Sequence, residues 1–177
     1  MWLKKLLTPQ AFPYQWGELR MGWGSAIFVV SSRGLCSLTP LSLGIDDYTA
    51  NVQHLKLAGV QPLPAGQRIL WNQKISEALA CPQLVSVLPL DLKGSDLQLQ
   101  VWQALLQVPK GQLVSYSELA HQIGRPQAVR AVASACAANP VALLVPCHRV
   151  VRKDGGLGGY RWGLELKRYL LTQEGAL

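Results

Sequence analysis

Residues 115–138 read SYSELAHQIGRPQAVRAVASACAA and contain the signals for two helices joined by a short turn. Ser115 is a typical N-cap residue and predicts a helix over residues 116–123. Residues 124–126, Gly-Arg-Pro, form a turn signal, and a second helix is predicted over residues 127–138. A helix, a short glycine-containing turn and a helix outline a helix-turn-helix motif, although two packed helices in any helical core share that outline.

The second predicted helix consists almost entirely of small residues and has one charged side chain, Arg130. A helix that reads the major groove normally presents Arg, Asn or Gln to base edges. This helix instead suits close approach, either to another helix or to a narrow groove. Because burying an unpaired arginine is costly, Arg130 predicts that one face of the helix is exposed.

Elements on either side of this stretch indicate an α+β chain. Ser95 is a predicted N-cap for a helix over residues 97–108, which has apolar residues at helical spacing. The first ~95 residues carry no catalytic motif and predict strands and helices in mixed order. Those predictions are a strand at 24–31, a turn at 32–34, a strand at 35–38, helices at 46–57 and 69–80, and a strand at 84–90.

Composition narrows the classes of function. The 177 residues have a mass of 19.4 kDa and are 49% hydrophobic and 15% charged, which predicts one folded domain or two small ones. No apolar run approaches the ~18 residues of a membrane span, and the lysine-containing first seven residues are too short for a signal-peptide core. We therefore expect a cytoplasmic protein with no membrane partner.

The positive charge is concentrated in the later part of the chain. The formal net charge is +7. Residues 1–97 have eight basic and six acidic side chains, a net of +2, whereas residues 98–177 have nine and four, a net of +5. This asymmetry predicts a polyanionic partner for the later part.

The four cysteines form neither a CxxC pair nor a zinc-finger spacing, so we expect free thiols and no metal site. Cys36, Cys81 and Cys136 are predicted to be small buried hydrophobic residues. Cys147 differs because it lies between a proline and a His-Arg pair.

Residues 141–145 predict a buried strand that leads into Pro146, Cys147 and His148. A reactive thiol needs cationic or hydrogen-bonding neighbours. Side chains of adjacent residues in an extended chain point to opposite sides, so contact between this cysteine and histidine requires a turn or a bridging water. An isolated Cys-His pair is more often a packing feature than a catalytic one.

The longer string at residues 146–150, PCHRV, resembles the active-site motif of the O6-alkylguanine-DNA alkyltransferases, also called methylated-DNA–protein-cysteine methyltransferases. The resemblance extends over about residues 101–175. Its matching positions are Val101-Trp102, Gly111, Ser115-Tyr116, Leu119-Ala120, Arg130-Ala131-Val132, Asn139-Pro140, Gly158-Gly159-Tyr160, Leu170-Leu171 and Glu174.

The resemblance implies an α+β fold in two parts. Residues 1–93 are expected to form an N-terminal α/β (RNase H-like) subdomain with a short sheet. Residues 94–177 are expected to form a mostly helical winged-helix or helix-turn-helix alkyltransferase domain.

The resemblance also implies DNA repair by direct damage reversal. Such a protein flips O6-alkylguanine, and also O4-methylthymine, out of duplex DNA and transfers the alkyl group irreversibly to its own cysteine in a single turnover. The expected partner is double-stranded DNA containing O6-alkylguanine. The protein is expected to be a monomer without a cofactor, and the zinc ligands of animal members have no clear counterpart.

Four residues match the catalytic positions of the family. Cys147 is the expected nucleophile, as a thiolate, and His148 the general base through a bound water. Glu174 is expected to orient His148 and to stabilise its charge. This requires the final helix to fold back onto the site. Asn139 is expected to brace the turn around the active-site segment.

Other matches imply DNA contacts. Tyr116 matches the tyrosine that pushes the 3′ phosphate and contacts the flipped base, and Arg130 matches the arginine that fills the vacated stack. This would explain a small-residue helix that enters the minor groove. Ser117, Arg125 and Lys153 match positions that contact phosphates or sugars, although each is equally compatible with a solvated surface.

The resemblance places Pro146, Val150, Tyr160 and Arg161 in the substrate pocket. The carbonyls of Cys147 and Val150 would accept from the guanine amine, and the Arg161 N–H would donate to O6. Tyr160 would form a wall of the alkyl pocket.

Four positions depart from the family pattern. Asp96-Leu97 replaces Pro-Phe, so the first helix of the domain is expected to begin differently. Gly159 and Arg161 replace Asn and Ser, which is expected to change the pocket width.

Two other functions compete with transfer. One is a binding module that recognises alkylated DNA without transferring the group, and the other is a cysteine hydrolase that uses Cys147 and His148. The hydrolase lacks the strand-to-helix nucleophile setting.

Overall fold

A computed structural model describes residues 14–22, 24–41, 53 and 58–177 of the chain. The chain divides into two compact units, Met1–Lys93 and Gly94–Leu177. Together they form a mixed α+β protein, as predicted. No helix in the described ranges is long and apolar enough to cross a membrane.

The first unit contains a four-stranded sheet in the order β3-β2-β1-β4. Its strands are β1 (Gln15–Met21), β2 (Gly24–Ser31), β3 (Gly34–Pro40) and β4 (Gln61–Pro62). The two hairpin pairs are antiparallel, and β4 runs parallel to β1. Both predicted strands and the turn between them are therefore confirmed. The apolar run of β2 is buried, with Phe28 fully enclosed.

Helix α1 (Ala65–Ala80) follows the sheet and begins four residues earlier than predicted. The helix predicted at residues 46–57 lies outside the described residues, apart from Gln53. The strand predicted at residues 84–90 is wrong: Pro82–Val87 form a 3-10 helix, and Leu90 alone pairs with β3. Proline at the first helical position favours the helical turn despite the β-branched residues that follow.

The second unit is mostly helical. Its elements are α2 (Asp96–Leu106), β5 (Val114–Ser115), α3 (Tyr116–Gln122), α4 (Val129–Ala137), a 3-10 turn (Cys147–Arg149), β6 (Val150–Val151) and α5 (Leu164–Gln173). Ser95 and Ser115 both form capping boxes, with Gln98 and Glu118 as their partners. These caps confirm the predicted starts of α2 and α3.

The small residues of α4 permit close packing against α2 and α3. Trp102 of α2 is buried, and its indole N–H donates to the carbonyl of Ala135 at 2.9 Å. Such an approach of a large ring to a helix backbone requires small side chains at the contact. Arg130 lies on the exposed face of α4, as predicted.

The strand predicted at residues 141–145 is wrong, although all five residues are buried. The segment makes consecutive turns, and Leu143 adopts a positive φ of 70°. Asn139 closes this bend: its side-chain oxygen accepts from the Val141 N–H at 3.0 Å, and its amide donates to the Val145 carbonyl at 2.7 Å. The chain therefore reaches Cys147 through a bend. The apolar composition of residues 141–145 did not predict this bend.

Candidate functional site

A cavity of about 510 Å³ lies in the second unit, beside the α3–turn–α4 pair. Helix α4 supplies one wall of small side chains, and residues 159–162 supply another. The lining residues are Tyr116, Ala133, Ser134, Cys136, Ala137, Cys147, Gly159, Tyr160, Arg161 and Trp162.

Cys147 begins the 3-10 turn and is 6% exposed, so its sulfur reaches the cavity from within the protein. The Asn139 amide donates to Sγ at 3.2 Å. Burial raises the pKa of the Cys147 thiol to about 11, although the Asn139 hydrogen bond and the positive charge of Lys167 oppose that rise. Burial therefore favours the protonated thiol over the thiolate in the absence of DNA.

His148 and Glu174 meet as predicted, because α5 returns to the 3-10 turn and Glu174 is the C-cap residue of that helix. Nε2 of His148 lies 3.0 Å from Oε1 of Glu174. Burial lowers the pKa of His148, so the ring is neutral at pH 7. Burial alone would raise the pKa of Glu174, but the hydrogen bonds and charges of His148 and Arg149 outweigh it and lower the pKa to about 2.

The ionised Glu174 carboxylate can only accept hydrogen bonds, so Nε2 of His148 carries the ring proton. Nδ1 then holds a lone pair. It is buried, and no hydrogen-bond partner for it occurs among the described residues. The ring therefore offers a proton acceptor on the side away from Glu174.

Arg149 and Lys167 are two buried cations that sequence reasoning did not place in the site. Arg149 binds Glu174 and the Val108 carbonyl. Lys167 is fully buried and donates to the carbonyls of Val150, at 2.6 Å, and Leu157. The available signal for Lys167 was its position four residues before the buried Leu171, on the same face of α5.

The pocket residues predicted from the resemblance are only partly brought together. Tyr160 and Arg161 line the cavity, whereas the buried Pro146 and Val150 do not. The Val150 carbonyl accepts from Lys167, and the Cys147 carbonyl accepts from the Val150 N–H. Contact with a guanine amine would therefore use the second lone pair of each oxygen.

The ring of Tyr160 is steeply inclined to both of its aromatic neighbours, at 81° to His148 and 62° to Trp162. Its centroid lies 6.5 Å from that of His148 and 5.2 Å from that of Trp162. Its buried hydroxyl has no hydrogen-bond partner in the described ranges. Tyr160 thus connects the cavity wall to the histidine.

The predicted DNA-contacting residues occupy different surroundings. Tyr116 is half-buried at the start of α3 and lines the cavity, and burial raises the pKa of its hydroxyl. Ser117 is half-buried, and its Oγ lies 3.0 Å from Oγ of Ser115, the N-cap residue of α3. Arg125, Arg130 and Lys153 are exposed.

The remaining cysteines are divided between interior and surface. Cys36 and Cys136 are buried as predicted, but Cys81 is exposed because it lies at the C-cap of α1. Within the described residues, no group of three or more His, Cys, Asp or Glu side chains is arranged to hold a metal ion.

The structure is that of an α+β protein in which a buried cysteine, followed by a histidine paired with a glutamate, lines a cavity beside two helices joined by a short turn. Residues 96–176 match the family model described as the DNA-binding domain of 6-O-methylguanine DNA methyltransferase. The chain belongs to this family, the O6-alkylguanine-DNA alkyltransferases.

Relatives with similar sequences carry related names. The chain is 45% identical over 158 residues to the bifunctional transcriptional activator/DNA repair enzyme Ada of Escherichia coli, covering 85% of this chain and 42% of that protein. It is 52% identical over 86 residues to the inducible methylated-DNA–protein-cysteine methyltransferase of Bacillus subtilis, covering 49% of this chain and 48% of that protein. The chain thus spans about half the length, or less, of these curated relatives.

A solved structure covers more of the chain. The crystal structure of Mycobacterium tuberculosis OGT in complex with DNA has a TM-score of 0.70 and 31% identity, covering 92% of this chain and 93% of that one. This likeness includes the first unit as well as the helical one.

Proposed function

We propose that this protein repairs DNA by direct damage reversal. It flips O6-alkylguanine, and also O4-methylthymine, out of duplex DNA and transfers the alkyl group to Cys147 in a single turnover. The observation that carries the proposal is the position of the Cys147 sulfur on a cavity that also includes Tyr116 and the small face of α4. The relatives' names, which include a DNA repair enzyme and methylated-DNA–protein-cysteine methyltransferases, support it.

DNA binding in this proposal uses the exposed side of the helix pair. Arg130 enters the gap that the flipped base leaves, and Tyr116 contacts the flipped base at the mouth of the cavity. The surplus of basic residues after residue 97 supplies non-specific affinity for the phosphate backbone. Ser117, Arg125 and Lys153 make phosphate or sugar contacts.

The chemical step is a displacement at the alkyl carbon. The Cys147 sulfur forms a bond to that carbon while the carbon–O6 bond breaks, and the guanine takes the bonding electron pair. The thiol proton passes to Nδ1 of His148, directly or through one water, and Glu174 stabilises the resulting imidazolium. The departing guanine takes up a proton or hydrogen bonds at the cavity wall, where the Arg161 N–H and the Tyr116 hydroxyl are donors.

The product explains a single turnover. The alkylated cysteine is a thioether, which has no acidic S–H and does not undergo thiol–disulfide exchange. No group described in the cavity removes the alkyl group, so each molecule reacts once. The reaction needs no cofactor. We propose that the protein acts as a monomer in the cytoplasm.

The test uses the whole chain and duplex DNA that contains one O6-methylguanine. Intact-mass analysis is expected to show one added methyl group on the wild type and none on Cys147→Ser, which should still bind the lesion. Unmodified wild-type protein that binds the lesion would instead identify a binding module. Binding is expected to weaken steeply with salt, since phosphate contacts release counterions.

A further inference from the structure

Arg149 uses all three nitrogens of its buried guanidinium within the site. Nε donates to Oε2 of Glu174 at 2.9 Å, and one terminal nitrogen donates to Oε1 at 2.8 Å. The other terminal nitrogen donates to the Val108 carbonyl, two residues beyond α2, at 2.6 Å. The side chain is 8% exposed, so little water competes for these contacts.

The paired contact fixes the carboxylate plane. An arginine fork that binds both oxygens of a carboxylate sets its orientation as well as its charge. Oε1 of Glu174 is shared, because it also lies 3.0 Å from Nε2 of His148. The orientation of the His148 ring therefore depends on Arg149, although the two side chains form no direct hydrogen bond in the structure.

We propose that Arg149 is a positioning residue for the transfer reaction: it holds Glu174 so that His148 keeps its proton on Nε2 and presents Nδ1 to the Cys147 thiol. This inference rests on the proposed function, since it gives the orientation of His148 a role in alkyl transfer. The wrong tautomer would place a proton on the nitrogen that must accept one.

Arg149 has a second effect, on the charge around His148. The groups whose charges or rings act on the His148 ring are Glu174, Arg149, Lys167 and Tyr160. Burial is the largest cause of the lowered pKa of His148, Glu174 raises that pKa, and the positive charges of Arg149 and Lys167 lower it. Removing Arg149 is therefore expected to raise the pKa of His148. The ring would then become protonated at a higher pH than in the wild type, and a protonated ring cannot act as a base.

A purely structural role for Arg149 would be to join the end of α5 to the end of α2 through Val108. That role predicts a loss of stability and of the amount of active protein. It predicts no change in the pH at which the surviving molecules react, and no change in the His148 tautomer.

The test measures single-turnover methyl transfer from pH 5 to 9 with the full chain. Arg149→Met is expected to lower the maximal rate by about 10-fold or more and to move the acid limb of the pH–rate profile to higher pH. Arg149→Lys restores the charge without the fork, so it should return the acid limb towards that of the wild type while the maximal rate stays low. The matched control is Arg168→Met, which removes an exposed positive charge from α5 and is expected to behave as the wild type.

Imidazole ¹⁵N NMR on the DNA-free wild type shows which ring nitrogen of His148 carries the proton. This measurement requires neither methyl transfer nor a substitution of Arg149. The His148 signal, identified by its loss in His148→Gln, is expected to show a protonated Nε2 and an unprotonated Nδ1. A proton on Nδ1 would overturn the proposal, as would a folded Arg149→Met protein with the wild-type rate and acid limb. If wild-type protein failed to accept a methyl group, the proposed function would be lost, while the NMR result would still report the His148 tautomer on which the role of Arg149 depends.

Discussion

The side-chain amide of Asn139 donates a hydrogen bond to the sulfur of Cys147 at 3.2 Å. The same residue closes the preceding bend through Val141 and Val145. One fully buried side chain thus shapes the approach to the cysteine and stabilises negative charge on its sulfur. Asn139 therefore contributes both to the fold around the site and to its chemistry.

Replacing Asn139 with alanine is expected to lower the free energy of unfolding by about 2–4 kcal/mol, because the Val145 carbonyl and the Val141 N–H lose their partner in the interior. Urea denaturation measures the loss. Gln103→Ala, an exposed change on α2, serves as the control and should stay within about 0.5 kcal/mol of the wild type. Equal stability of the two variants would refute the bracing role.

Arg130→Ala should separate function from stability. The side chain is exposed, so the free energy of unfolding should change by less than about 0.5 kcal/mol. Base flipping should weaken, because nothing then fills the vacated stack. A fluorescent base analogue opposite the lesion reports flipping, with Arg168→Ala as the matched exposed control. If Arg130→Ala flipped the base as well as the wild type does, Arg130 would not be the residue that fills the vacated stack.

Acid should destabilise the second unit. The lowered pKa of Glu174 contributes stability that is fully present above its unfolded pKa of about 4.3 and is lost as the pH falls towards about 2. The lowered pKa of His148 acts in the same direction from about pH 6.5 downward, since the unfolded chain binds that proton more readily. Denaturation between pH 7 and pH 3 should show a steady fall for the wild type and a shallower one for His148→Gln. A wild-type stability that is flat across this range contradicts the assignment.

Gly159 offers a way to narrow the cavity without backbone strain. It has no positive φ, and a Cβ added there would meet nothing within 4 Å. Gly159→Val is therefore expected to slow transfer from O6-butylguanine more than from O6-methylguanine, in single-turnover assays with matched duplexes. Gly156→Val, outside the cavity lining, is the comparison. Equal slowing for both alkyl groups would show that residue 159 does not limit the alkyl pocket.

Two helix starts were predicted correctly from the sequence, because the interactions that cap a helix involve neighbouring residues. Ser95 and Ser115 predicted the starts of α2 and α3 because a capping box needs only residues within one helical turn. The return of Glu174 to His148 was expected only from the resemblance to the family. No local pattern specifies a contact between residues 26 positions apart.

The errors arose where tertiary contacts outweigh propensity. The apolar composition of residues 141–145 predicted a strand, but Asn139 binds both ends of the segment and closes a bend. Lys167 and Arg149 would ordinarily be assigned to the surface, and their burial depends on distant carbonyl and carboxylate partners. The effect of burial on the pKa of Cys147 also lies beyond sequence patterns, because it follows from packing around the cavity.

Transfer to Cys147 is tested by the stoichiometry and position of the methyl group that the protein takes from isotopically labelled O6-methylguanine in duplex DNA. We expect one labelled methyl group per protein molecule, located by peptide mapping on Cys147, with no further transfer when fresh DNA is added. Label on another residue, repeated turnover by the same molecules, or repaired DNA with unlabelled protein would contradict it.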